Sequence, residues 1–244
     1  MNIEDEDLSG KVILEVGSGR GAITRKLVDL LSEKPDSQLI VTDISDRFFP
    51  QLRDEFQAKK VQIQFICTGG HELQSVPEKA IDYLVCNYAL CAINTEAGLV
   101  GIALRRFWEV LKSNGKLFIE EEFPISKHDT LAQEVWAEKW RVLKSSMILA
   151  RQSIFNEIAP EVLESLCFLA GFEKIEWTSH SELYTNIEVL DFFQKRLNTL
   201  LKEMPNESLR AGFSEMAVNL RNKAMQAGGM EIPFYRLVAQ KTAG

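Results

Sequence analysis

The seven residues at positions 15–21, Glu-Val-Gly-Ser-Gly-Arg-Gly, are the segment whose residue types most clearly predict chemistry. They follow an apolar run at residues 12–14, typical of a short strand, and precede residues 22–31, whose apolar positions have helical spacing. Glycines allow a sharp backbone turn and close approach of a ligand. The start of the following helix offers unpaired N–H groups. The segment therefore predicts a ligand-binding turn between a strand and a helix.

Asp43 is the next acidic residue at the end of a predicted strand, after a second apolar run at residues 39–41. In a parallel sheet the two strand ends meet at one edge, so we expect the Asp43 carboxylate beside the glycine loop. There it can accept hydrogen bonds from both hydroxyls of a ribose. The order strand, loop, helix, strand and terminal acid thus predicts a cofactor that contains a nucleoside.

Two cofactor classes fit the loop. Gly17, Gly19 and Ala22 have the spacing of a dinucleotide-binding turn, so an NAD-dependent oxidoreductase stays open as an alternative. Glu15, Gly17, Gly19 and Gly21 instead resemble motif I of the class I S-adenosylmethionine-dependent methyltransferases. A carboxylate at Glu15 disfavours an anionic pyrophosphate, whereas it stabilises the ammonium and sulfonium groups of S-adenosylmethionine.

The resemblance extends from residue 11 to about residue 123. Residues 41–45 are similar to the end of that family's second strand, residues 81–90 to its fourth strand and exit, and residues 106–117 to the helix and turn before its fifth strand. The resemblance implies a methyltransferase of the small-molecule type that uses S-adenosylmethionine and releases S-adenosylhomocysteine. The cofactor-binding residues that it implies are Glu15, Gly17, Ser18, Gly19, Gly21, Asp43, Ile44, Gly70, His71, Glu72, Asn87 and Tyr88.

One departure from the family concerns the adenine. The family often has an acidic residue between the third and fourth strands that accepts the adenine amino group, but the matching loop here, residues 68–73, reads Thr-Gly-Gly-His-Glu-Leu. Three alternatives stay open: His71 replaces the acid, Glu72 serves through a shifted loop, or a backbone N–H of Gly70 or His71 contacts the base.

Methyl transfer from a sulfonium is a direct displacement, which requires alignment and exclusion of water. A general base is needed only if the acceptor must lose a proton. We expect acceptor groups at the carboxyl ends of the fourth and fifth strands, where open α/β sheets bind ligands. The catalytic candidates are Glu120, Glu121 and Tyr88, and the substrate-binding candidates are Tyr88, Glu122, Trp136 and Trp140.

Each of these candidates also has a structural interpretation. The run Glu120 to Glu122 is equally typical of a solvated strand exit, with Glu121 facing opposite to its neighbours. Trp136 and Trp140, four residues apart on one helix face, are typical of packing on a sheet as well as of a lid over an apolar acceptor. No metal site is expected, because His128 is the only histidine near this run and fits the surface start of a helix.

The alternation of strands and helices in the first half predicts an α/β fold with a parallel sheet. With the resemblance, the expected fold is a doubly wound, mostly parallel seven-stranded sheet, the Rossmann-like methyltransferase fold, with an antiparallel last strand. The five strands predicted in the first half are residues 12–14, 39–41, 61–66, 81–86 and 117–119, and the helices between them are residues 22–31, 46–59 and 98–111.

Farther along, the spacing predicts helices over 127–158 and 160–170, a strand over 172–178, a mostly helical stretch over 187–228 interrupted near Pro205, and a strand over 234–240. We therefore expect a single methyltransferase domain over 1–244, whose core is residues 1–124, 159–178 and 233–244. Two helical lid insertions, about 125–158 and 179–232, complete it. The second insertion, or a second subunit of a homodimer, is expected to cover the cofactor.

The composition is that of an ordinary soluble globular protein: 244 residues, 45% hydrophobic and 26% charged, with a net charge of −7. The acidic balance argues against nucleic-acid or anionic-membrane partners. No apolar run is long enough for a membrane span, no signal peptide is recognisable, and the four cysteines lack C-x-x-C spacing. These features predict a cytoplasmic protein with free thiols.

The expected function is therefore methyl transfer to a small-molecule acceptor. The alternatives are an NAD-dependent oxidoreductase, for which no catalytic pair is evident, and a protein methyltransferase or partner-binding module that keeps a nucleoside pocket. A deep closed pocket would disfavour this last class, and an open groove would favour it.

Overall fold

In the computed structural model, which describes residues 2–95, 98–126, 128–204 and 206–242, seven strands form one sheet. The strands are β1 (Val12–Val16), β2 (Gln38–Asp43), β3 (Gln62–Cys67), β4 (Ile81–Asn87), β5 (Leu111–Glu122), β6 (Glu173–Tyr184) and β7 (Met230–Gln240). Their order is β3-β2-β1-β4-β5-β7-β6. The first five are parallel, whereas β7 is inserted between β5 and β6 and runs antiparallel to them. This confirms the predicted fold class.

The helices are α1 (Ala22–Leu31), α2 (Phe49–Phe56), α3 (Leu90–Ile93), α4 (Leu99–Val110), α5 (Leu131–Leu149), α6 (Pro160–Ala170), α7 (Asp191–Glu203) and α8 (Glu207–Gln226). The prediction of a helix over 127–158 is too long at its end: α5 stops at Leu149, and Arg151 has a left-handed φ of 56°. This is a helix end without the usual glycine, so the sequence carries no stop signal there. Lys127, where that helix was predicted to begin, and Pro205, near the predicted break before α8, lie outside the described residues.

The chain divides into two compact units. The core unit comprises Met1–Glu121, Ile158–Thr178 and Arg236–Gly244, and the helical unit comprises Glu122–Glu157 and Ser179–Tyr235. The core unit contains β1 to β4 with α1 to α4 and α6. The helical unit contains α5, α7 and α8, and α5 packs against both other helices. This division does not test whether the two helical insertions act as lids, so that role stays a prediction.

The centre of the core unit is apolar. Ile13, Leu39 and Val41, on β1 and β2, are fully buried, and Leu27 and Val28 of α1 pack in the same cluster. Burial of one such side chain contributes about 1.5–3 kcal/mol. This packing fixes the carboxyl ends of β1 and β2 side by side, which is the geometry that a site at this edge requires.

Lys241 fixes the beginning of β5. Its buried ammonium donates hydrogen bonds to the carbonyl oxygens of Trp108 and Leu111, both 2.7 Å away, and lies 3.9 Å from the centre of the Trp108 ring. It therefore satisfies carbonyl groups at the end of α4, where a helix leaves them unpaired. The predicted turn at Ser113-Asn114-Gly115 is a bulge inside β5, in which Asn114 has a left-handed φ of 65°.

The helical unit has its own buried residues and surface ion pairs. Leu143, Leu197 and Leu220, one from each long helix, are buried. Lys223 of α8 forms ion pairs with Glu134 at 3.0 Å and Glu138 at 2.7 Å, on successive turns of α5. Across the described ranges, no helix is both long and apolar enough to cross a membrane.

Candidate active site

The glycine loop between β1 and α1 requires glycine for two physical reasons. Gly17 and Gly21 have left-handed φ values of 80° and 84°. A Cβ atom on Gly17 would lie 2.5 Å from the Cβ of Ala89, and one on Gly21 would lie 2.3 Å from a methyl group of Leu52. The loop therefore runs against both the segment after β4 and the helix after β2. At Gly19 (φ 51°) no described residue other than its chain neighbours has an atom within 4 Å of such a Cβ, so this position faces open space.

The loop amides make hydrogen bonds within the protein. Gly17 N and Ser18 N donate to the carbonyl oxygen of Thr42 at 2.9 and 3.0 Å, and Gly21 N donates to Ser18 O at 2.8 Å. Gly19 N donates to a carboxylate oxygen of Asp43 at 2.8 Å. The predicted proximity of Asp43 to the glycine loop is therefore observed. The loop backbone is engaged by β2, so these N–H groups are not directed at a phosphate.

A cavity of about 510 Å³ opens at this edge of the core unit. The residues that line it are Val16, Gly17, Gly19, Asp43, Ile44, Thr68, Gly70, His71, Tyr88, Ala89, Ala92, Ile93, Thr95 and Leu99. Seven of the predicted site residues are among them: Gly17, Gly19, Asp43, Ile44, Gly70, His71 and Tyr88. The predicted residues Glu15, Ser18, Gly21, Glu72 and Asn87 lie near it in the chain without forming its wall.

Sequence reasoning missed the wall contributed by α3. This four-residue helix supplies Ala92 and Ile93, which line the cavity, and a Cβ on Gly70 would lie 2.7 Å from an Ile93 methyl group. The signal was weak, because one helical turn is too short to show a periodic apolar pattern. The apolar run after β4 was the available clue.

Glu15 is the most unusual group of the site. Its side chain is only 2% exposed, and in the part of the chain that the structure describes neither carboxylate oxygen has a hydrogen-bond partner. The buried hydroxyls of Ser18 and Thr24 also lack one there. Burial raises the pKa of Glu15 to about 7. The nearby hydroxyl and amide of Thr24 lower the pKa of Glu15 to a smaller extent, although neither makes a hydrogen bond of normal geometry to it. The negative charge of Asp43 raises the pKa further.

Tyr88 follows β4 and is held by β5. Its backbone has a left-handed φ of 56°, which is rare for a large side chain and typical of functional positions. Its N–H donates to the carbonyl oxygen of Glu120 at 2.8 Å, and its hydroxyl donates to the Glu120 carboxylate. The other carboxylate oxygen of Glu120 accepts from Arg236, and this hydrogen bond raises the pKa of Arg236. Glu120 therefore joins the cavity wall to β7.

The other two glutamates at the end of β5 also have specific partners. Glu121 is buried, on the face opposite its neighbours as predicted, and accepts a hydrogen bond from Leu90 N at the start of α3 at 2.7 Å. In the helical unit, Glu122 accepts from the indole N–H of Trp136 and, at 2.6 Å, from that of Trp140. Glu121 thus positions the helix that lines the cavity, and Glu122 binds the two tryptophans predicted to share a face.

His128, which follows the glutamates at the end of β5, makes a local contact. The His128 ring nitrogen Nδ1 lies 3.3 Å from Ile125 O. Over the residues with described positions, no group of three or more His, Cys, Asp or Glu side chains is arranged to hold a metal ion.

The fold resembles that of known proteins. A family model described as "Methyltransferase domain" matches residues 13–115. A putative methyltransferase from Bacillus halodurans is 13% identical, with a TM-score of 0.61, and the match covers 99% of this chain and 96% of that one. No curated protein matches the sequence.

Two further solved structures have the same fold. Phosphoethanolamine N-methyltransferase 2 from Haemonchus contortus, solved with phosphomonomethylethanolamine and S-adenosylhomocysteine, is 16% identical with a TM-score of 0.57; the match covers 98% of this chain and only 50% of that protein. The [4+2]-cyclase SpnF is 18% identical with a TM-score of 0.59, over 97% of this chain and 76% of that one.

The solved structures show which fold the chain has. The sheet has the class I methyltransferase architecture, in which an antiparallel strand is inserted before the last edge strand. The methyltransferase-domain model matches only residues 13–115, which hold the glycine loop, Asp43 and the first four strands of the sheet.

Proposed function

We propose that this protein is an S-adenosylmethionine-dependent methyltransferase that transfers a methyl group to a small-molecule acceptor. The observation that carries the proposal is the position of Asp43, which lines the cavity while it accepts a hydrogen bond from Gly19 N. A carboxylate fixed in this way presents its remaining lone pairs to the hydroxyls of a ribose. The Haemonchus structure, which contains S-adenosylhomocysteine, supports the same cofactor here.

The residues present fit this cofactor on structural grounds. The loop approaches so closely at Gly17 that a Cβ atom has no room, and the buried Glu15 lacks a partner among the described residues. Asp43 would hold the ribose, and Ile44, Gly70 and His71 would lie around the adenine. When bound, the cofactor supplies a methyl group that is already activated by its sulfonium, so the chain's own residues have to orient the acceptor and exclude water.

The NAD-dependent alternative fits less well. A dinucleotide-binding turn uses its backbone N–H groups for the pyrophosphate, but here Thr42 and Asp43 accept the hydrogen bonds of Gly17, Ser18 and Gly19. The strand order also differs, because β7 is inserted between β5 and β6. Both observations favour a methyltransferase over a dehydrogenase.

The geometry at Tyr88 suggests how an acceptor is held. Because the phenol proton is donated to Glu120, the Tyr88 oxygen presents lone pairs, which suit an acceptor N–H or O–H group. Arg236 donates a hydrogen bond to the other carboxylate oxygen of Glu120 and so holds this carboxylate in place beside Tyr88. We therefore assign Tyr88 to contact with the acceptor and Glu120 to its positioning. The other candidates are positioning residues, which hold neighbouring helices and strands in place: Glu121, Glu122, Trp136 and Trp140.

A small acceptor is favoured by the size of the site. A cavity of about 510 Å³ is typical of small-molecule sites, which measure about 300–1,000 Å³. Since the cofactor takes part of this volume, the remaining space suits a metabolite better than a folded partner. A screen of metabolite extracts for transfer of a labelled methyl group would identify the acceptor.

Calorimetric titration with S-adenosylhomocysteine tests the cofactor assignment. We expect Asp43→Ala to weaken binding by at least tenfold, about 1.4 kcal/mol, because it removes the ribose partner. Asp46→Ala, which removes an exposed carboxylate three residues farther on, is the matched control. Equal affinity of Asp43→Ala and the wild-type protein would refute the ribose assignment.

A second pair of variants tests the loop. Gly19→Arg should abolish measurable binding, because its side chain enters the open space of the cavity. Gly19→Ala adds only a methyl group at the same φ and should retain binding within about tenfold. Unchanged binding in Gly19→Arg would place the cofactor elsewhere.

A further inference from the structure

The glycine loop covers a group of polar atoms that the fold leaves unsatisfied. Glu15, Ser18 and Thr24 are at most 5% exposed, and within the described chain the Glu15 carboxylate and both hydroxyls have no hydrogen-bond partner. An ionised carboxylate in such surroundings is costly, so the group tends to bind a proton instead. Among the residues that the structure describes, no cation acts on Glu15 to keep it ionised.

This group is electrostatically connected to the cavity. Val16 and Gly17, the next two residues, line the cavity. Asp43 lines it as well, and its negative charge is one of the causes that raise the pKa of Glu15. A positive charge brought into the cavity therefore acts on Glu15 in the opposite direction and favours its ionised form.

We propose that Glu15 carries a proton in the ligand-free protein and releases it to solvent when the amino-acid end of the cofactor, with its ammonium group, binds. The inference rests on the proposed function, since it assumes this cofactor. In the balanced step, the Glu15 O–H bond breaks, the proton passes to the buffer, and the positive charge of the bound ligand stabilises the carboxylate. Cofactor affinity is thereby coupled to pH.

The groups facing Glu15 are few. In the sheet it pairs with Val41 on β2 and Val85 on β4, which are apolar. Thr24 faces it from α1, and Asp43 is the charged group that acts on it from the end of β2. The imidazole of His71 also lines the cavity, so it requires its own control.

The test is calorimetric titration of the full chain with S-adenosylhomocysteine at pH 6.0, in two buffers of different ionisation enthalpy. We expect release of about half a proton to one proton per molecule bound, and little release at pH 8.5, where Glu15 is already ionised. From pH 7 down to pH 5, the dissociation constant should rise by about three- to tenfold per pH unit.

Three variants identify the group that releases the proton. Glu15→Gln should abolish the release and flatten the pH dependence, whereas His71→Asn should preserve both. In Thr24→Val, which removes a group that lowers the pKa of Glu15, release should persist to higher pH. The Thr24→Val variant keeps the test decisive if Glu15→Gln does not fold.

The outcomes separate the inference from the proposed function. Three results would overturn the inference and leave the cofactor assignment intact. They are proton release that persists in Glu15→Gln, proton release that is lost in His71→Asn, and cofactor binding with no proton exchange at pH 6.0. Absence of any binding overturns the proposed function, and the inference with it.

Discussion

Buried or half-buried carboxylates lie at two places along the carboxyl edge of the sheet, and their hydrogen bonding differs. At the glycine loop, Glu15 is buried without a hydrogen-bond partner among the described residues. At the end of β5, Glu120, Glu121 and Glu122 all accept hydrogen bonds from specific donors, namely a phenol and a guanidinium, a backbone N–H, and two indoles.

The difference shows which part of the edge is complete by itself. A buried acceptor with a charge-assisted hydrogen bond is stabilised within the fold, whereas a buried carboxyl without one stores an unfavourable energy that a ligand or a proton can relieve. The end of β5 is thus built to hold neighbouring elements in place. The glycine loop contains buried polar groups that a ligand or a proton can satisfy.

The largest effect expected from this comparison is on stability at Glu15. Its pKa is raised from 4.5 to about 7 in the folded protein, so the stability of the protonated form is fully present below pH 4.5 and is lost as pH rises through about 7. In Glu15→Gln this loss is absent. The variant's free energy of unfolding relative to wild type should therefore increase by roughly 3 kcal/mol between pH 4.5 and pH 8.

Urea denaturation of both ligand-free proteins at several pH values measures this difference. An advantage of Glu15→Gln that does not depend on pH would contradict the assignment of Glu15 as a protonated group. Such a result would mean that the carboxyl group of Glu15 does not differ from the carboxylates at the end of β5 in the way described.

Replacement of Glu121 should lower stability, whereas replacement of Glu15 should raise it at high pH. Glu121→Ala leaves the N–H of Leu90 buried without its acceptor, and we expect a loss of about 2 kcal/mol. Glu121→Gln keeps an oxygen acceptor and should lose less than about 1 kcal/mol. Urea denaturation gives both values, and the exposed Glu78→Ala is the control. If Glu121→Ala is as stable as the control, the end of β5 is not held in the way described.

The tryptophan pair tests Glu122 in the helical unit. Trp136 is fully buried and Trp140 only half-buried, although both donate to the same carboxylate. Trp136→Phe should therefore lower stability by about 2 kcal/mol, through a cavity and a lost hydrogen bond, and Trp140→Phe by about 1 kcal/mol. Thermal unfolding followed by circular dichroism should rank them in this order. The reverse order would show that the hydrogen bonds to Glu122 do not add to the packing.

The smallest effect on stability is expected at Tyr88, which is 39% exposed. Tyr88→Phe should change the free energy of unfolding by no more than about 0.5 kcal/mol, and affinity for S-adenosylhomocysteine by less than about threefold. Methyl transfer to the acceptor found by the screen should fall instead. A loss of stability above about 2 kcal/mol would make Tyr88 a structural member of the β5 region rather than an acceptor contact.

Most of the fold was predictable because its signals are local. Apolar runs marked β1, β2 and β4, and the glycine loop and Asp43 marked the edge where they meet. The end of α5 was not predictable, since it lacks a glycine stop, and α3 was missed because one helical turn has no period. Similarly, β6 and β7 extend beyond residues 172–178 and 234–240, because the additional residues are strands only through their sheet partners.

By itself, the sequence determined the order of strand, glycine loop, helix and acid, and with it the resemblance to class I methyltransferases, since each of these depends on neighbouring residues. The tertiary structure alone decided which carboxylates have partners. Glu120 meets Arg236 across 116 positions of the chain, and Glu121 meets Leu90 across 31. Three identical residue types in a row carry no information about such partners, because hydrogen bonding and burial depend on what the folded chain brings near them.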